Sequence, residues 1–407
     1  MFSITKETKQ TKIILIGLIA VFFMVNLYSA INYGNANYLG SFELFDNDDV
    51  KYIRSAWELA NGGGFIYHWV GQPTVFIMPG LTATLAFFVK LFGQFGGITA
   101  FRVFQAVLQG MSMYLIFLLG RRIFNSRVAI IACVINLFYI AEYYAVTMIL
   151  TEVIFKFLFL LLVYLCILAI QEKKLSYYLI GGVVWGLACL VRPTVAAFPA
   201  VILIMWFIHK YTFKEMVKYT VVTTLVFALV MAPWWIRNYR VFHRFIPLTL
   251  STGNPFLQGT YINYDQTQNY VFPELGNDAI KNNQIEMAIG LDRLKTYVPQ
   301  EPIKYLSWYT IGKSKLFWQA PFYWKEMFGV SLFKGVVGHI GVLLLSLFGV
   351  FFGLKSKNKG FLYLLFTVLF TNLMYLPYYT MSRYSYPLMP IVAIIAGSFI
   401  YKVAKKS

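Results

Sequence analysis

The stretch PGLTATLAFFVKLFG, Pro79 to Gly93, decides how the rest of the chain is arranged. It is apolar, but it opens at a proline, carries Lys90 and is shorter than the roughly 20 residues a helix needs to cross a bilayer. If it spans, the basic clusters elsewhere fall on both sides of a membrane. If it lies along the interface, they fall on one side, as the positive-inside rule requires. The clusters are Lys6/Lys9/Lys12, Arg121/Arg122/Arg127, Lys173/Lys174, Lys210/Lys214/Lys218, Lys355/Lys357/Lys359 and Lys402/Lys405/Lys406. The interfacial reading predicts about ten spanning helices, at 13–31, 98–119, 128–147, 152–171, 177–191, 194–209, 219–235, 335–354, 360–378 and 386–402. The 177–191 and 194–209 pair is short, which puts the Arg192-Pro193 turn inside the protein.

The expected class is an all-α polytopic membrane protein, one unit over residues 1–407, in the cell membrane with both termini cytoplasmic. The first apolar run follows a basic N-terminus with no A-x-A-like site after it, so it reads as an uncleaved anchor. Three stretches remain on the outer face: 32–97, 236–334 and 378–386. Composition agrees, with 59% hydrophobic and 13% charged residues. A soluble domain carries about 25% charged residues. The net charge of +18 sits in the clusters between apolar runs, which points to orientation and anionic lipid rather than nucleic acid. Cys133, Cys166 and Cys189 lie inside apolar runs and suggest no disulfide framework. His68, His209, His243 and His339 have no ligand spacing, so no metal ligand and no cofactor is assigned.

Acidic residues are segregated. Glu7, Glu172 and Glu215 are the cytoplasmic ones, whereas 32–97 alone holds Glu43, Asp46, Asp48, Asp49 and Glu58. Carboxylates contribute little to topology, so chemistry at the outer surface is one candidate cause. In Asp46-Asn47-Asp48-Asp49-Val50-Lys51-Tyr52, a carboxylate ahead of a helix is held ionised and can act as general base; helix capping by Asp48 explains the same residues. Gly62-Gly63-Gly64 reads as a turn, or alternatively a phosphate nest. In Pro233-Trp234-Trp235-Ile236-Arg237-Asn238-Tyr239, Arg237 either snorkels beside an interfacial tryptophan belt or holds a lipid phosphate. Arg383 in Ser382-Arg383-Tyr384-Ser385-Tyr386-Pro387 repeats that situation, and a deep Arg192 needs a partner. Glu152 and Lys156 have the spacing of an i,i+4 ion pair. The aromatics of the long outer stretch, Trp308, Trp318 and Trp324 among them, read as interface anchors.

Taken in order, these pieces resemble the GT-C superfamily of membrane glycosyltransferases, and most nearly the bacterial relatives of dolichyl-phosphate-mannose protein mannosyltransferases, glycosyltransferase family 39. The resemblance rests on Asp48-x-x-x-Tyr52, Pro79-Gly80, Arg121-Arg122-x-Phe124, Leu150-Thr151-Glu152 and Leu190-Val191-Arg192-Pro193-Thr194. It continues through Ala232-Pro233-Trp234-x-x-Arg237-Asn238-Tyr239, Phe245-x-Pro247, Gly253-Asn254, Gly259 and Arg383-Tyr384-x-x-Pro387-x-x-Pro390. Family members often have Asp-Glu or Asp-Ser where this chain has Asp48-Asp49, which leaves two candidates for the base. The spacing to Tyr52 favours Asp48.

The resemblance implies inverting transfer of a sugar from a polyprenyl-phosphate donor to a hydroxyl acceptor on a glycan, lipid or protein. Asp48 (or Asp49) would be the base, with Glu152 orienting the acceptor or Asp48. Arg237 and Arg383, with Arg192 as a third, would hold the lipid phosphate, and Tyr52, Asn238 and Tyr384 would position the groups. Two rivals predict different features. A polysaccharide polymerase or ligase of another membrane fold needs no acidic motif in the first loop. A lipid-linked sugar transporter or flippase would show midplane charges and broken helices in related halves.

Overall fold

The computed structural model describes residues 2–267, 271, 273–276 and 278–405; Lys406 lies outside the described residues. In chain order the helices are α1 (Lys9–Asn32), α2 (Asp48–Ala60), α3 (Gly80–Phe92), α4 (Gln94–Ile123), α5 (Ser126–Leu137) and α6 (Ala141–Ala145). They continue as α7 (Glu152–Glu172), α8 (Leu175–Val191), α9 (Pro199–Ile208), α10 (Phe213–Phe242), α11 (Gly253–Gly259) and α12 (Ala279–Tyr297). Last come α13 (Pro302–Ser307), α14 (Lys313–Trp318), α15 (Leu332–Leu354), α16 (Lys359–Tyr375) and α17 (Met389–Ala404). This is a multi-pass integral membrane protein of all-α architecture.

Among the described residues six helices are long and apolar enough to cross a membrane: α1, α4, α7, α10, α15 and the Ser382–Ala404 run that ends in α17. Of the other four expected spans, two are shorter apolar helices and two are broken. The 177–191 and 360–378 segments become the 17-residue α8 and α16. The 194–209 segment divides into a 3-10 turn, Pro193–Ala197, and α9, because Pro199 lacks the N–H that would continue the first helix. The 128–147 segment also breaks. Helix α5 stops at Leu137, whose carbonyl accepts the Tyr143 hydroxyl at 2.5 Å, and α6 follows with Glu142 pointing inward. The side chain closes a helix end that would otherwise leave carbonyls unsatisfied.

Helix α7 forms the axis, with 78% of its apolar window buried, and packs on α4 and α8; α10 lies on the rim with 17% buried. The basic clusters gather at one end of this bundle. There Arg121 pairs with Glu7, Arg122 and Lys174 with Glu172, and Lys173 with Glu215. Lys359 reaches the Ile208 carbonyl at the same end, and Asn358 reaches that of Ile123. The three acids expected among the clusters are thus each tied to a cluster residue.

The opposite end carries α2, α3 and α11–α14. Helix α3 is about 20 Å long at 1.5 Å per residue, too short to span. It packs against α2 and α4, and Gly80 abuts α8 so closely that a Cβ there would lie 2.5 Å from the Leu190 carbonyl oxygen. After α2, positive φ at Gly62 (85°) and Gly64 (87°) turns the chain back along the helix. The returning segment is held to α2 by Ser55, which donates to the Ile66 carbonyl, and by Arg54, which donates to those of Tyr67 and His68. The three glycines form a turn, as read from sequence.

Candidate active site

Asp48 is the first residue of α2 rather than its cap. The Asn47 side chain caps the helix by accepting the Asp48 N–H at 2.8 Å, which leaves the Asp48 carboxylate free. Its Oδ1 accepts the Tyr67 hydroxyl at 2.8 Å and its Oδ2 accepts Arg383 Nη2 at 3.1 Å. The side chain stays 40% exposed, so a hydroxyl can reach it. Partial burial works to raise the Asp48 carboxyl pKa. The Arg383 charge, the Tyr67 and Arg383 hydrogen bonds and Lys51 outweigh that and hold it below its ordinary value.

Asp49, the other candidate base, is 1% exposed and its carboxylate accepts three backbone N–H groups, from Leu39 (2.7 Å), Gly40 (3.3 Å) and Val50 (2.8 Å). Burial nonetheless pushes its pKa above the ordinary value. The two acids differ in setting: Asp49 fastens residues 39–40 to α2, and the Asp48 carboxylate remains partly exposed.

Arg383 lies in a 3-10 turn, Ser382–Leu388, directly ahead of α17. Its Nε is 3.8 Å from Glu152 Oε1, and Glu152, the first residue of α7, forms an ion pair with Arg192 at the end of α8. Arg192 also donates to Thr151 Oγ1 at 2.7 Å. Helix ends from α2, α7, α8 and the turn before α17 therefore converge as an alternating set of two carboxylates and two guanidinium groups. Three buried atoms in it have no hydrogen-bond partner: Glu152 Oε2, Arg192 Nη1 and Arg383 Nε. Such atoms are rare in a folded interior and are open to a water or a ligand.

Tyr52 packs its ring 5.3 Å from that of Tyr67, and burial beside the Asp48 and Glu152 carboxylates pushes its hydroxyl pKa well up. Tyr384 stacks on Tyr375 at 4.8 Å and lies 5.6 Å from the Arg192 guanidinium. Trp324 is 6.0 Å from Arg383, so this tryptophan lines the site instead of anchoring at an interface.

Two sequence expectations are revised. Glu152 does not pair with Lys156, because each has a nearer partner: Arg192 for Glu152, and Glu142 for Lys156. Arg237 is not among the converging groups. It donates to the carbonyls of Thr74 (2.6 Å) and Phe65 (3.3 Å) and to Asn238 Oδ1 (3.1 Å), and Asn238 donates to Ile246 O at 3.1 Å. Trp234 and Trp235 likewise donate to the Leu248 and Pro247 carbonyls, so this block fastens the chain's own return loop. Sequence reasoning missed Tyr67; the glycine turn just before it was the available signal. Among the described residues no group of three or more His, Cys, Asp or Glu side chains converges.

Residues 74–236, from α10's partner Thr74 to the residue before Arg237, match the family of dolichyl-phosphate-mannose-protein mannosyltransferases. Among solved structures the fold is similar to that of ArnT from Cupriavidus metallidurans bound to undecaprenyl phosphate, with a TM-score of 0.52 and 12% identity over 96% of this chain and 61% of that one. It is also similar to the archaeal oligosaccharyltransferase AglB from Archaeoglobus fulgidus in complex with an inhibitory peptide and a dolichol-phosphate. There the TM-score is 0.57 and the identity 14%, over 98% of this chain and 51% of that one. The chain thus spans about six-tenths and one half of their lengths. No curated protein sequence matches it. The fold is similar to that of these two membrane glycosyltransferases, and residues 74–236 match the model of the dolichyl-phosphate-mannose-protein mannosyltransferase family.

Proposed function

We infer that the protein is a glycosyltransferase that moves a sugar from a polyprenyl-phosphate donor to a hydroxyl acceptor at the outer face of the cell membrane, with inversion. The observation that carries this reading is the open, ionised Asp48 beside Arg383, with partnerless polar atoms at Glu152, Arg192 and Arg383. The family match and the fold support it, since ArnT was solved with undecaprenyl phosphate and AglB with a dolichol-phosphate and a peptide.

In this mechanism Asp48 takes the acceptor proton as the acceptor oxygen bonds to the anomeric carbon. The bond from that carbon to the phosphate oxygen breaks on the opposite side, and its electron pair stays on the lipid phosphate. Arg383 and Arg192 stabilise the charge that grows there, which is where preorganised charge contributes most to rate. Glu152 holds both guanidinium groups in place and orients the acceptor. Tyr52 and Tyr384 pack the walls. Arg237 acts on the donor only through the loop it fastens. A glycan, a lipid and a protein each supply a suitable hydroxyl.

The test is a titration of the purified protein in nanodiscs with undecaprenyl phosphate. It is paired with mass spectrometry of envelope glycans, lipids and glycoproteins from cells with and without the protein. Saturable binding and the loss of one glycosylated species are expected. No binding, together with an unchanged envelope, would return the polymerase and transporter readings. Labelling of Asn61→Cys but not Lys355→Cys by an impermeant maleimide on intact cells tests the outward orientation.

A further inference from the structure

A second polar cluster lies directly behind the site, and the mechanism above does not use it. Glu142, Lys156, Gln109 and Tyr386 are each 0% exposed, so none can touch a substrate. The Lys156 ammonium contacts both Glu142 and the Gln109 amide oxygen. The Tyr386 hydroxyl donates to Glu142 Oε2 at 2.6 Å and accepts from Gln109 Nε2 at 3.1 Å. A charge pair buried this deeply in a membrane protein is costly unless it is fully engaged, so its presence calls for a purpose.

Spacing supplies one. Lys156 follows Glu152 by four residues on α7, which puts the two on one helix face. Tyr386 follows Arg383 by three residues in the 3-10 turn, where residues i and i+3 eclipse. The turn and α7 are therefore joined by two polar rungs, one above the other. The upper rung, Arg383 with Glu152, faces the site. The lower rung, Tyr386 with Glu142 and Lys156, is sealed, and Gln109 ties it to α4.

We propose that the Glu142–Lys156–Gln109–Tyr386 cluster positions the turn and so sets the placement of Arg383 against Asp48 and the donor phosphate. These four are positioning residues, and their role in donor binding rests on the proposed function. The break at Phe138 gains a reason, because a continuous 128–147 helix would not deliver Glu142 to Lys156 from this short inward turn.

Two variants test it: Tyr386→Phe, which keeps the ring, and the double variant Glu142→Gln with Lys156→Met, which removes both charges together and leaves no lone ion buried. Hydrogen exchange is followed along the chain, and undecaprenyl phosphate is titrated into nanodiscs. Exchange should rise about tenfold or more in 382–388 while α7 stays protected. Affinity should fall severalfold in the wild-type background, and hardly at all when Arg383→Ala is already present. Wild-type exchange in 382–388, or an equal loss of affinity in both backgrounds, would overturn the proposal. A uniform rise in exchange would do the same, since it would reduce the cluster to general stability. If the wild type binds no undecaprenyl phosphate, the proposed function fails, and the exchange result alone decides the clamp.

Discussion

Two arginines at the site end of the bundle are both half-buried, and they are engaged in opposite ways. Arg237, near the end of α10, gives its guanidinium to the Thr74 and Phe65 carbonyls. Arg383, ahead of α17, gives its own to the Asp48 carboxylate and lies beside that of Glu152. Backbone carbonyls are fixed parts of a fold, so an arginine on two of them is a fastener. Carboxylates at an open site can exchange their cation partner for a substrate, so an arginine between two of them remains available for a phosphate. What the neighbours are, rather than how deep the arginine lies, separates the two roles.

The largest effect expected is at the carboxylate end of the second pair. Asp48→Asn keeps shape but cannot take a proton, and transfer should fall by roughly 10²–10⁴-fold. Undecaprenyl phosphate binding should change little, and Asp49→Asn should show up mainly as lost stability. Near-normal transfer by Asp48→Asn in a radiolabelled-donor assay would remove the base from Asp48.

Next come the arginines themselves. Arg383→Ala loses charge-assisted hydrogen bonds of about 1.5–3 kcal/mol, which should weaken undecaprenyl phosphate binding tenfold or more. Lysine there should restore only part of it, because an ammonium lacks the planar fork. Arg237→Ala should instead lower thermal stability, since each buried carbonyl left unsatisfied costs about 1–3 kcal/mol, with donor affinity shifted less than about threefold. Equal affinity losses at the two positions would erase the distinction and restore Arg237 as a direct phosphate ligand.

The smallest effect concerns pH. The Tyr67 hydroxyl stabilises the ionised Asp48, so its bond helps to hold the Asp48 pKa down. Removing it in Tyr67→Phe should raise that pKa and move the acid limb of the kcat/KM profile to higher pH. The plateau should fall only severalfold. An acid limb that stays put or moves lower would separate Tyr67 from the base.

Much of the site was legible in the chain because its groups announce themselves locally: an acid at a helix start, Thr-Glu ahead of an apolar run, Arg-Pro, Arg-Tyr. Their pairing was not. Glu152 and Lys156 have the spacing of partners, yet each is satisfied by a residue from another helix, and no local rule reports that. Glu142 was hidden inside an apolar run whose break at Phe138 depends on a tyrosine hydroxyl closing a helix end. Arg237 gave the same local signal as Arg383, because the carbonyls it binds have no side-chain signature. The ten expected spans resolved into six long helices and shorter ones for a similar reason. Hydropathy counts apolar residues without seeing which polar atoms they enclose.

Helix α10 has a mechanical consequence. At 30 residues it is about 45 Å long, against some 30 Å of hydrocarbon, and it stands on the rim with 17% of its apolar window buried. Its apolar stretch, 219–235, is about 26 Å long at 1.5 Å per residue, and a change of membrane thickness is answered by a change of its tilt. Its end is bolted through Arg237 to the loop that carries Tyr67 to Asp48. The linkage that fastens this loop therefore also couples any tilt of α10 to the segment that carries Tyr67.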